Sequence, residues 1–243
     1  MWPKISLNYS PNFSLIKRSK KNIKFIIIHY TGMCNELSAL NKLCDTKAKV
    51  SAHYFIKKNG LIVNLVPPLY EAWHAGKSSW KGFKFLNRYS IGIEIHNSGH
   101  DYKYENFSKK QITSTKKLLK YLINKYEVNF KNVLGHSDIA PDRKKDPGEK
   151  FPWKKLAKSK LSRWHNLNEN KLKQKRLIIL NLFEERNFMM NLSKIGYFQT
   201  LKQKNNTKKR NIIKAFQRHF RQKLINGISD QECLMISKDL LKS

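Results

Sequence analysis

The chain has 243 residues, 49 Lys+Arg against 17 Asp+Glu for a formal net charge of +32, and 40% hydrophobic residues including 13 Phe, 10 Tyr and 5 Trp. That apolar content is enough to bury a core and excludes a wholly disordered chain. Three cysteines (Cys34, Cys44 and Cys233) argue against a disulfide framework by their odd number, and their spacing fits no metal site.

A strongly basic chain suits nucleic acid or another polyanion. Yet residues 1–153 hold 27 basic and 11 acidic groups and residues 154–243 hold 22 and 6, an excess of 16 in each part. With no basic arm and no nucleic-acid motif, no specific nucleic-acid partner is expected. The N-terminal MWPKISLNYSPNF lacks the charged start and apolar run of a secretory signal. The longest apolar stretch, Leu177–Phe183, is broken by Asn181 and is far short of a membrane span.

In chain order, IKFIIIHY at 23–30 is a β-branched run that predicts a buried central strand ending at His29. Residues 36–44 have a short helical pattern. HYFIKK and LIVNLV are joined by Asn59-Gly60, a tight-hairpin pair. SIGIEIH at 90–96 predicts another buried strand, with Glu94 as its one charge. Ser108 and Gln111 form a capping-box pattern, opening a helix with apolar positions Ile112, Leu119, Leu122 and Tyr126. VLG then leads into the loop GHSDIAPDRKKDPG.

After Trp153 the strand pattern stops. Residues 161–176 read as a basic linker. From Leu177 the pattern is helical in short pieces (LIILNLFEE, NLSKIGYF, RNIIKAFQRHFRQ, DQECLMISKDLL), with Lys202–Arg210 as a polar loop. The expected fold class is α/β (α+β): a central mixed β-sheet flanked by helices over residues 1–160, then a small all-α bundle over 177–243.

His29 closes a buried strand and His136 follows one, where loops on a rigid scaffold usually carry sites. Asp146 lies ten residues after His136 and is held extended by Pro147. Two imidazoles and a carboxylate suit one catalytic Zn²⁺ with a fourth position open. Against that stands the plain reading of each histidine as a packed or capping residue. Asp138 and Asp142 compete with Asp146, although Asp138 fits a turn-forming role. Glu94, flanked by isoleucines, is either ion-paired with a lysine or a general base, because an isolated buried carboxylate is costly. Lys144, two residues before Asp146, shares its side in an extended segment and is placed to stabilise an oxyanion, unless solvent takes it. His53 reads as structural.

The segments FIIIHYT, SAHYFIKKNG, EAWHAGKSSW, SIGIEIHN and GHSDIAPDRKKDPGEKFPW occur in order. Together they closely resemble the bacterial zinc-dependent N-acetylmuramoyl-L-alanine amidases (amidase family 2), which share the fold of peptidoglycan recognition proteins. The resemblance implies zinc on His29, His136 and Asp146, a catalytic Glu94 and an assisting Lys144. It also places Trp73, His74 and Trp80 along a substrate groove. The implied reaction is hydrolysis of the amide between the lactyl group of N-acetylmuramic acid and L-alanine, in peptidoglycan or in soluble (including 1,6-anhydro) muropeptides. A non-catalytic murein binder is the alternative. LSKIGYF, IIKAFQRHFR and NGISDQE more loosely resemble a three-helix peptidoglycan-binding domain. Such a domain points to the cell envelope, whereas the missing signal points to the cytoplasm; the envelope is the expectation.

Overall fold

A computed structural model of the chain describes residues 3–197 and 206–242. The strands in chain order are β1 (Ile5–Leu7), β2 (Phe13–Ser14), β3 (Phe25–Tyr30), β4 (Tyr54–Ile56), β5 (Ile62–Asn64), β6 (Glu71–Ala72), β7 (Ser79–Trp80), β8 (Phe83–Lys84), β9 (Ser90–Ile95) and β10 (Val133–Gly135). Six of them make a mixed sheet in the order β1-β5-β4-β9-β3-β10. Only β4 and β5 pair antiparallel, through the Asn59-Gly60 turn, where Gly60 has φ +86°. The pairs β2–β6 and β7–β8 are small ribbons outside this sheet.

The β-branched run of β3 sits centrally, parallel to β9 on one side and β10 on the other. Period-two alternation then divides its side chains. Ile26 and Ile28 face a core shared with Ile91, Ile93 and Ile95 of β9. Phe25 and Ile27 face the opposite layer, which leaves His29 on that second side, directly across from Glu94 in the register.

The first layer is closed by α2 (Lys109–Tyr126), which starts at the expected capping box with both reciprocal bonds made. Its Leu118, Leu119 and Leu122 are fully buried, each worth about 1.5–3 kcal/mol of removed apolar surface. Helix α1 (Glu36–Cys44) has Asn35 as its N-cap and covers Phe55, Val63 and Leu65 with Ala39, Leu40 and Leu43.

The C-terminal part differs in detail from the sequence pattern. Residues 161–176, expected as a linker, follow the short helix α4 (Trp153–Ala157), carry the helix α5 (Glu169–Lys175) and pack down through Leu161 and Leu172, 6% and 3% exposed. The two pieces LIILNLFEE and NLSKIGYF share one helix, α6 (Leu182–Ile195), capped by Asn181 with Glu184. Ile179 ahead of it is extended and bridges Asp230. The expected polar loop ends earlier than its composition suggested, since 206–210 already belong to α7 (Asn206–Phe220); its 202–205 portion and Phe198 lie outside the described residues. With α8 (Gln231–Lys242) these helices form the all-α part. Among the described residues they form no separate core. Phe188, Leu192, Ile212 and Phe216 share one cluster with Phe25, Ile27 and Leu134 of the sheet.

Candidate metal centre and cavity

His29, Glu94 and His136 come from the C-terminal ends of three adjacent parallel strands, where open α/β sheets usually form their crevices. His136 is the first residue of the one-turn helix α3 (His136–Ile139) directly after β10. Asp146 returns beneath it, its carbonyl accepting the Ser137 N–H at 2.8 Å, and the Asp146–Pro147 bond is cis.

The three expected ligands meet. His29 Nδ1 lies 2.9 Å from His136 Nδ1, and each of these atoms is 3.1 Å from Asp146 Oδ2. All three residues are buried. The outer ring nitrogens are already committed. The Ser90 hydroxyl donates to the Leu86 carbonyl at 2.6 Å and accepts from His74 Nε2–H at 3.2 Å. His74 Nδ1 is then an acceptor for His29 Nε2–H at 3.0 Å. His136 Nε2–H donates to the Ala75 carbonyl at 3.3 Å. Both Nδ1 atoms therefore point bare lone pairs at each other and at a carboxylate oxygen, an arrangement that calls for a positive charge between them.

The group fits zinc. Tetrahedral N and O ligands at about 2.0–2.1 Å from the ion stand roughly 3.3 Å apart, and the observed separations of 2.9 and 3.1 Å are only a few tenths tighter. Burial, with His136 beside it, brings the His29 imidazole down to about 4, so it is neutral near pH 7.

A cavity of about 450 Å³ opens at the cluster, and its wall includes His136, Asp146, Glu94, Lys144, Trp73 and His74. Burial, then the nearby Asp146 charge, raises Glu94 to about 8, with Lys144 acting in the other direction. Glu94 Oε2 has no hydrogen-bond partner among the described residues. Among the described residues no lysine or arginine forms an ion pair with this carboxylate, and the residue lines the cavity beside the candidate metal site.

Of the three groove residues, Trp73 lines the cavity, with its indole N–H 3.3 Å from Ser14 Oγ. His74 also reaches the wall, but its two nitrogens serve His29 and Ser90. Trp80 does not line the cavity. It is 2% exposed and packs edge-on to Tyr197 at 4.7 Å, because β7 turns it toward the C-terminal helices. His53 is a buried structural residue as expected, its Nδ1 accepting from Gly92 N–H at 2.9 Å.

Three supporting residues escaped the sequence pattern. Gly92 leaves room for His74, whose Cγ would be 2.4 Å from a Cβ there; a glycine inside a strand was the available clue to a close approach. Ser90 anchors the far end of the relay. Arg143 ties the loop to residues 75–77 through the Ala75 and Lys77 carbonyls, and nothing in the run RKK set it apart from its neighbours.

A cavity at strand ends holding a two-imidazole, one-carboxylate cluster beside a proton-holding glutamate belongs to the class of metal-assisted hydrolases. The Amidase_2 family model, N-acetylmuramoyl-L-alanine amidase, matches residues 19–149, over half the chain, and the chain belongs to that family. It is 35% identical to the N-acetylmuramoyl-L-alanine amidase AmiD of Escherichia coli over 90% of this chain and 83% of that one. The structure of AmiD with anhydro-N-acetylmuramic acid-L-Ala-D-gamma-Glu-L-Lys superposes with a TM-score of 0.81 at 33% identity, covering 94% of this chain and 91% of that chain. AmpDh3 of Pseudomonas aeruginosa, in complex with an anhydromuramic pentapeptide, gives 0.80 at 29% identity over 96% of both chains. The 1,6-anhydro-N-acetylmuramyl-L-alanine amidase AmpD of Escherichia coli is 43% identical over 43% of this chain and 55% of its own length. The chain is an amide-bond hydrolase by this membership, and the mixed sheet with flanking helices is the amidase fold.

Proposed function

We propose that this chain uses one zinc ion to hydrolyse the amide between the lactyl group of N-acetylmuramic acid, with or without a 1,6-anhydro ring, and L-alanine of the stem peptide. The observation that carries this reading is the convergence of two imidazole lone pairs and one carboxylate oxygen with their outer hydrogen bonds already made. Zinc held by His29, His136 and Asp146 would supply Lewis acidity toward the amide carbonyl and the attacking water. Glu94 accepts the proton that this water loses and returns it to the leaving amine of L-alanine. A carboxyl raised toward the working pH suits both transfers. Lys144, in the same wall, faces the charge that develops on the carbonyl oxygen. His74 holds His29 in the tautomer that leaves Nδ1 free, and Trp73 offers a face to sugar or peptide.

The C-terminal helices are read as adding contact to polymeric murein, and action at the cell envelope is the location we favour. Among the described residues no helix is long and apolar enough to cross a membrane.

Mass spectrometry of products from intact sacculi and from soluble muropeptides, with and without chelator, tests bond, substrate size and metal together. Glu94→Ala and His136→Ala should each stop release of stem peptide while the protein stays folded. Full activity in either variant sinks the assignment. Murein binding without cleavage and without stoichiometric zinc would favour a non-catalytic binder instead.

A further inference from the structure

We propose that the C-terminal helices are part of the scaffold of the metal centre, with Tyr197 and His219 acting as positioning residues for His136 through Asp138. This rests on the reading of His136 as a zinc ligand. His136 and Asp138 share α3, a helix of four residues. One turn has no stability of its own, because nucleation fixes several residues for a single hydrogen bond. Its geometry has to be imposed from outside.

Asp138 imposes it. Its Oδ2 accepts the Gly135 N–H at 2.7 Å, closing the turn that presents His136. The same oxygen accepts from His219 Nδ1–H at 2.7 Å, and Oδ1 accepts from the Tyr197 hydroxyl at 2.6 Å. Asp138, Tyr197 and His219 are 2%, 3% and 2% exposed. A carboxylate this deep is tolerated only when its oxygens are satisfied, and two of its three hydrogen bonds come from the C-terminal part. His219 is itself fixed. Its ring stacks on Trp153 at 3.9 Å and 17° and on Phe220 at 3.9 Å and 10°. Trp153 in turn touches the turn, with Cζ2 3.4 Å from the place of a Cβ on Gly135. The helices therefore grip the carboxylate two residues from the ligand, from a core continuous with β10.

The test uses the full chain. Zinc affinity is measured by competition with a chromogenic chelator for Tyr197→Phe, His219→Leu and Asp138→Asn, alongside thermal unfolding, kcat and KM. Zinc binding should weaken about 10–100-fold, the range for lost outer-shell partners, and kcat should fall with KM little changed. His219→Asn keeps a donor near the Nδ1 position and should recover much of the affinity. Ile236→Ala, in α8 and fully buried, loosens the helices away from α3 and should leave zinc binding as in the wild type. Wild-type zinc affinity in Tyr197→Phe and His219→Leu, with only lower melting temperatures, overturns the proposal. So does an equal loss in Ile236→Ala, which would mean general loosening. Failure of the wild type itself to bind zinc removes the ligand assignment, and this inference with it.

Discussion

Replacing Glu94 by Gln should stabilise the metal-free protein while disabling it. In the folded chain, burial and the Asp146 charge raise the carboxyl from 4.5 to about 8. The folded state then binds more protons than the unfolded state between about pH 4.5 and 8, so stability falls as pH rises through that window. A rise of that size, at about 1.36 kcal/mol per pH unit, sets an upper value near 5 kcal/mol, and relaxation around the group makes about 2–5 kcal/mol the expectation. Glutamine does not titrate. In urea unfolding with chelator present, the advantage of Glu94→Gln should be small near pH 5 and reach its full size near pH 8.5, the two ends of the linkage window. Added zinc should shrink the gap, since a nearby cation favours the charged carboxylate. Amidase activity should drop by about 10²–10⁴, as for loss of a positioned acid–base group. A gap that does not vary with pH, or a variant less stable than the wild type at the alkaline end, would refute this account of Glu94.

His136→Ala and Asp146→Ala should lose stoichiometric zinc by elemental analysis and lose activity, while far-UV circular dichroism stays native. His74→Phe leaves His29 Nε2–H without its acceptor and should weaken zinc about 10–100-fold in chelator competition. Trp80→Ala should cost about 3–5 kcal/mol of stability with KM unchanged, as a buried aromatic removed from a core. Trp73→Ala should do the reverse, raising KM on muropeptides more than it lowers the melting temperature.

The central strand, the hairpin and the capped helix were legible because each depends on local chemistry. A β-branched run, an Asn-Gly pair and a Ser-x-x-Gln box need no distant partner to be recognised. The ligand residues were legible by resemblance, and the chain brings them together through strand order. What stayed hidden depends on contacts far apart in sequence. Nothing around Trp80 says whether it faces the cavity or Tyr197, because alternation along β7 and β8 sets Trp80 beside Phe83 without saying what covers that side. The packing of residues 161–176 was obscured by lysines, whose charge reads as solvent-facing while Leu172 carries the burial. His219 carried no local sign of its tie to Asp138, 81 residues away.

Both imidazoles present Nδ1 to the cluster, and Nδ1 is the ring nitrogen nearer the main chain. A ligand atom so close to its own backbone has little reach and little freedom to swing. The centre therefore behaves as an extension of the sheet: its dimensions follow the spacing of β3 and β10, and side-chain rotation cannot compensate for a strand that shifts. Mechanical rigidity of the parallel strands becomes a chemical parameter, so hydrogen-exchange protection along Phe25–Tyr30 should track metal retention when the protein is gradually destabilised.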